Sequence, residues 1–311
     1  TKRGNSADIN LLLVAALRIA GLRAEPVILS TRSNGSINQF SAIMQQFNYV
    51  IARVMADDNY YLVDATDPER PFDVLPFECL NGSGRIIDNY VSEFVDLKNN
   101  EKEYTKVNAE LVLDDKGCLT GNIVSRYSSL SAADLRKSIK LEGEEGYSEE
   151  LLNGSSEVDI TDLIIKNLAA QDSDIVRTVK VRLENVCQPA GDKILFAPFL
   201  SFVSSKNPFS QEKRLFPIDF GSPVKSMVVI NVKIPEGYSV VELPADIIFN
   251  LGKSDGKFEF SCSKNGNVLQ IRRYMSLDKF AFPPSQYPAI QDFYSMIIKK
   301  ESELIVFRKN S

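Results

Sequence analysis

Apolar positions come in three rhythms along the chain. Residues 9–20 are apolar nearly all round, the pattern of a central, buried helix. Asn5 is placed to cap it, with Asp8 three positions on as a capping-box partner, and Gly21 is a C-terminal stop. The run AEPVILST (24–31) reads as a strand. After a polar stretch with an Asn34-Gly35 turn signal, 47–55 and 60–65 read as an antiparallel hairpin turning at Asp57-Asp58-Asn59. Helix, strand and hairpin in that order predict an α+β class here.

The pattern then changes. Residues 67–100 pass through Pro68, Pro71 and Pro76 and end in the polar stretch 97–103, which reads as a linker. Beyond it, strands are predicted at 104–113, 118–126, 175–183, 226–234, 257–262, 268–273 and 304–308, with short helices at 131–141 and 288–299. Asp114-Asp115-Lys116-Gly117 and Asn265-Gly266-Asn267 are hairpin turns. Many strands at short spacing predict a β-rich, β-sandwich-like C-terminal domain at 103–311, after an N-terminal domain at 1–98.

Composition narrows the chemistry. The 311 residues carry a net charge of −5 and hold no histidine. An acidic chain whose basic pairs are short and interrupted is not a nucleic-acid binder. Without imidazole, Ser-His-Asp, Cys-His and His-ligated metal mechanisms are excluded together. Cys79, Cys118, Cys187 and Cys262 are widely spaced and form no C-x-x-C pair, so neither zinc nor a redox motif is suggested, and free buried thiols are expected. No cofactor or metal is called for. No apolar run is long enough for a membrane span. The chain enters its first helix within a few residues, which suggests a fragment of a longer protein. Asn34, Asn81 and Asn153 head acceptor-type triplets that matter only in a glycosylating host.

One set of segments carries a resemblance: GNSADINLLLVAALRIAGLRAEPVILSTRSNG (4–35), FNYVIARV (47–54), YYLVDATDPERPFDVLPFECLNGSGRII (60–87), NPFSQEKRLFPIDFGSP (207–223) and YPAIQDFYSMIIKKESELIVFRK (287–309). They resemble the transglutaminase-like, papain-type superfamily, in particular bacterial multi-domain proteins whose core is flanked by domains of unknown function. The resemblance implies a partial papain-like core (its C-terminal part), a missing N-terminal partner domain, and an exported, periplasmic setting. It also implies a cysteine nucleophile at a helix N-terminus, where the dipole lowers the thiol pKa. A histidine on a facing strand and an orienting aspartate on the next complete the implied triad.

Carried over by position, the nucleophile site is Ser6, the base site Tyr49 and the orienting acid Asp64; only the last suits an active enzyme. A serine without a base is a poor nucleophile, and tyrosine, with a pKa of about 10, cannot readily replace imidazole. Two functions therefore stand side by side. One is a non-catalytic binding or scaffold module for a peptide or cell-envelope component, with Asn5, Ser6, Asn48, Tyr49 and Asp64 as candidate ligand contacts. The other is a residual serine-based hydrolase or acyltransferase using Ser6. Plainer roles are also open: Ser6 as a helix cap, Tyr49 hydrogen-bonded to Asp64, and Asp64 organising the turn after its strand.

Overall fold

The protein is described from a computed structural model covering residues 3–41, 43–88, 93–99, 103–152, 158–184, 186–199 and 206–310. The chain divides into two units: residues 1–103 with 129–136 and 170–173, and residues 104–128, 137–169 and 174–311.

In the first unit, helix α1 (Ser6–Ile19) begins at Asn5, whose side chain accepts from the Asp8 amide while the Asp8 carboxylate accepts from the Asn5 amide. This reciprocal pair satisfies two donors that helix geometry leaves open. Strands β1 (Ala24–Leu29), β2 (Tyr49–Ala56), β3 (Asn59–Val63), β4 (Ser83–Ile86) and β5 (Phe94–Asp96) form an antiparallel sheet in the order β3-β2-β1-β4-β5. Asp57 and Asp58 turn the β2–β3 hairpin with positive φ at both positions, the geometry a tight two-residue loop demands.

Alternation assigns the two faces. Ala24, Ala52, Val54 and Val63 pack with Val14 of α1. Val27, Leu29 and Ile51 point the other way, into a cluster with Leu75, Cys79, Leu80 and Leu97.

In the second unit the strands are β6 (Glu103–Leu113), β7 (Leu119–Tyr127), β8 (Val158–Lys166), β9 (Ile175–Leu183), β10 (Cys187–Ala190), β11 (Lys193–Phe196), β12 (Ile218–Asp219), β13 (Val224–Lys233), β14 (Tyr238–Glu242), β15 (Ile247–Leu251), β16 (Gly256–Asn265), β17 (Val268–Leu277), β18 (Ala281–Phe282) and β19 (Ile305–Lys309). Eight of them make one sheet, ordered β15-β16-β17-β13-β6-β7-β9-β8; four make another, β10-β11-β19-β14; β12 and β18 pair alone. One apolar cluster takes Leu111, Ile230, Phe258 and Ile271 from the large sheet and Phe196 and Phe307 from the smaller. Helix α3 (Tyr287–Glu301) adds Ile290, Phe293 and Ile297. Gly117 closes the β6–β7 turn at φ +87°, and the Asp114 carboxylate holds that turn by accepting from the Lys116 and Cys118 amides. Helix α2 (Ser129–Leu152), whose residues 129–136 count with the first unit, breaks at Gly143, where the backbone is non-helical.

Two expectations are overturned. A papain-like α+β core is not what the chain forms. Among the described residues nineteen strands stand against three α-helices, and the strands are gathered in several sheets. The order helix–strand–hairpin is a local succession that many antiparallel arrangements share, and it fixes no layer beyond one helix on one sheet face. Nor is α1 buried all round: Asn10 and Val14 are buried, while Leu12 is 71% and Ile19 88% exposed.

Candidate functional site

The site is built on the polar interruption of an apolar helix. Asn10, fully buried, donates from Nδ2 to the Asp64 carboxylate (2.8 Å) and to the Val50 carbonyl (2.9 Å), and its Oδ1 accepts from the Ala65 amide (2.9 Å). One side chain thus ties α1 to β2 and to the end of β3. Ser6 is four residues earlier and so on the same helix face, one turn toward the N-terminus. Helix α1 and the strands bearing Tyr49 and Asp64 are thus joined at Asn10, one turn in from Ser6.

Asp64 accepts on both oxygens. Oδ1 takes the Asn10 amide and the Thr66 backbone N–H (2.9 Å); Oδ2 takes the Tyr49 hydroxyl (2.9 Å) and the Thr66 hydroxyl (3.0 Å). Four donors fill the approximate lone-pair capacity of a carboxylate. The hydrogen bond expected between Tyr49 and Asp64 is present. The Tyr49 hydroxyl also lies 2.9 Å from that of Thr66.

Burial pushes the Tyr49 phenol well above its usual range; the Thr66 contact opposes this and the Asp64 charge adds to it. Cys79, fully buried behind Tyr49, is likewise held as a thiol, first by burial and then by the Asp64 charge, with Arg70 pulling the other way. Arg70 approaches Asp67 with its Nε 3.3 Å from Oδ2, an ion pair without hydrogen-bond alignment. Burial also raises Cys187 to about 12 and Cys262 to about 11, and all four cysteines are free.

The remaining candidates act elsewhere. Asn5 is the helix cap. Asn48 is exposed and pins the turn after β1, its Oδ1 accepting from the Thr31 amide and its Nδ2 donating to the Thr31 hydroxyl, both at 2.8 Å. Ser6 does not cap: among the described residues its hydroxyl has no hydrogen-bond partner, so no described base is aligned to take its proton.

Asn10, Thr66 and Cys79 were not picked out from sequence. Asn10 carried a signal, since it is the one polar side chain within INLLLVAAL, and a buried amide must find partners. The acceptor-type triplets are internal structure where described: the Asn34 amide donates to the Ser30 hydroxyl and the Gln46 carbonyl, and the Asn81 amide to the Gly35 and Ser30 carbonyls. Asn153 lies outside the described residues. Among those residues no group of His, Cys, Asp and Glu is placed to hold a metal, and no helix is long and apolar enough to cross a membrane.

Comparison with known proteins adds two likenesses. Residues 192–307 match the model of a family described as "Domain of Unknown Function with solved-structure structure (DUF3858)". A crystal structure of a "putative protease" from Parabacteroides distasonis ATCC 8503 superposes with a TM-score of 0.50 at 13% identity, over 98% of this chain. This chain spans 44% of that protein's length. The likeness is one of fold. No curated protein matches the sequence.

Replacing Tyr49 by phenylalanine tests the site electrostatics. Loss of one hydrogen bond to a charged acceptor is expected to cost about 1.5–3 kcal/mol at pH 8. A phenol whose folded pKa is raised stabilises fully below the unfolded value of about 10, and that stabilisation is lost as pH climbs above it. Urea midpoints should therefore fall less between pH 9 and pH 11 in the variant than in the parent. Equal declines would mean that Tyr49 ionises as it does in the unfolded chain.

Proposed function

We propose that this chain is a non-catalytic binding module for peptide or cell-envelope ligands, with a site whose positions follow a transglutaminase-like triad that has lost its reagents. The observation that carries this reading is the Tyr49–Asp64 bond. In a working triad the acid accepts from one ring nitrogen of the base, and the second ring nitrogen takes the nucleophile's proton. Tyr49 has a single hydroxyl, and its proton goes to an acid that Asn10 and Thr66 also fill. The raised phenol keeps that proton at neutral pH, and Ser6 has no aligned partner among the described residues. Likeness in fold to a protein described as a "putative protease" supports the view that the scaffold suits extended polypeptide.

The test is turnover. Purified protein is offered fluorogenic peptides and a p-nitrophenyl ester, beside the Ser6→Ala variant. Parent and variant are expected to be equal and at the level of buffer. Turnover that disappears in Ser6→Ala would overthrow the proposal.

A further inference from the structure

A hollow of about 420 Å³ opens on the first sheet, lined by Ile28, Phe40, Ile43, Met44, Arg85 and Phe94 among others. That volume falls in the ligand-pocket range of about 300–1,000 Å³. Its floor is a row across three strands, since Ile28 pairs with Arg85 and Arg85 with Phe94. Paired residues share a face. By alternation from Ala24 this is the face that carries α1.

The two glutamines of the wall are spent on the wall itself. The Gln39 amide donates to the Ser83 hydroxyl (2.6 Å). The Gln46 side chain accepts from the Asn38 amide (2.8 Å) and donates to the Asn38 and Ser41 carbonyls. The Arg85 guanidinium lies over the Phe94 ring at 5.3 Å. The apolar part of the hollow comes from Ile28, Phe40, Ile43, Met44 and Phe94, and its lip is exposed, with Met44 at 70% and Ile43 at 48%.

Beside the hollow the sheet ends. Among the described residues β5 pairs only with β4. The ladder uses the Glu93 carbonyl and the Leu97 amide. In antiparallel register this turns the backbone N–H and C=O of Phe94 and Asp96 outward. An apolar socket next to a row of outward backbone groups is what an added strand needs: main-chain bonds for affinity and a pocket for an alternate side chain. An acyl chain would fill the socket and leave the backbone groups unused.

We propose, building on the binding-module reading above, that an extended peptide docks as an added strand along β5 and seats one apolar side chain in this hollow. The probe is a fluorescein-labelled threonine/valine heptapeptide with one central phenylalanine, measured by fluorescence polarisation against the intact chain. The same peptide with aspartate in place of phenylalanine should bind at least tenfold more weakly. N-methylation of alternate peptide amides should cost at least fivefold.

Met44→Asp should abolish the phenylalanine preference. Asp96→Pro, which removes one outward N–H and spares the ladder to β4, should weaken binding at least fivefold with an unchanged melting temperature. The proposal is overturned by equal affinity for the phenylalanine and aspartate peptides, by indifference to N-methylation, by laurate displacing the probe while Asp96→Pro has no effect, or by a Met44-dependent dimer that excludes the probe. Each sample is also assayed for cleaved peptide. Cleavage would sink the non-catalytic reading and leave the docking surface standing, whereas absent binding with intact peptide sinks the docking surface alone.

Discussion

Changing Asn10 to alanine is expected to destabilise the first unit by about 2–4 kcal/mol, the lower part of the range for two hydrogen-bonding groups left without partners at about 1–3 kcal/mol each. The Val50 carbonyl and the Ala65 amide lose Asn10, while Asp64 Oδ1 keeps the Thr66 amide. Alanine is the better helix former, by some tenths of a kcal/mol, so propensity works against the loss without cancelling it. The readout is hydrogen exchange, because two units need not unfold together. Amides of α1 and of β2 near Val50 should exchange roughly 30- to 800-fold faster, the ratio equivalent to that free energy. Amides in β13 and β17 of the second unit should keep their rates. A change of less than threefold at α1 would mean that the Asn10 network contributes nothing net, and that Asp64 is held by Tyr49 and Thr66 alone.

The importance of Asn10 bears on what could be read in advance. Sequence comparison by position located Ser6, Tyr49 and Asp64, because a helix N-terminus and two strand positions can be found from hydrophobic rhythm and a shared motif. The Tyr49–Asp64 bond was legible because an aromatic hydroxyl and a carboxylate on neighbouring strands have few other partners in a half-buried setting. The saturation of Asp64 was not legible. It depends on Thr66 folding back two residues and on Asn10 reaching across from another element. Long-range polar pairing leaves no periodic trace in one sequence.

For the fold, elements with strong local signals were found. The helix cap at Asn5, the hairpin at Asp57-Asp58 and the strand Ile175–Leu183 are where the pattern puts them. Strands such as β8, β14 and β15 were missed. Their alternation is blurred because they are sheet edges, where one flank meets solvent and the pressure for a clean apolar row relaxes. The buried-helix expectation failed for a related reason. An all-round apolar run records what a helix can bury, and α1 as described leaves Leu12 and Ile19 in solvent. The stretch 207–223 packs only in part: Phe209 meets Tyr294 edge-on at 5.0 Å, while Leu215 and Phe216 are exposed.

The second large effect lies in the other unit. Arg273 on β17 donates from Nε to the Glu301 carboxylate at 2.7 Å, with side chains 7% and 4% exposed. Its Nη1 donates to the Ser226 hydroxyl at 2.8 Å. Burial pushes the Glu301 carboxyl above the usual glutamate range even though Arg273 pulls it down. Desolvation therefore outweighs the attraction. A buried pair of this kind is costly to break and adds little beyond what apolar packing would supply. Glu301→Ala, which strands the guanidinium, should cost about 3–5 kcal/mol. Arg273→Met combined with Glu301→Leu should fall within about 1 kcal/mol of the parent, or above it.

The sign of the pH dependence follows from the raised carboxyl. The folded state holds its proton more tightly than the unfolded state, so the contribution of Glu301 is complete below the unfolded pKa and is lost as pH rises through the folded one. Lys300, whose Nζ donates to Glu303 at 2.6 Å beside the Phe260 ring, is the other buried charge here and is unchanged in both variants. Urea unfolding at pH 4 and pH 7 measures all of this. The parent should lose more stability over that interval than the double variant. If instead the double variant is as damaged as Glu301→Ala, the pair is a net source of stability, and the balance between desolvation and attraction is the reverse of the one drawn from its geometry.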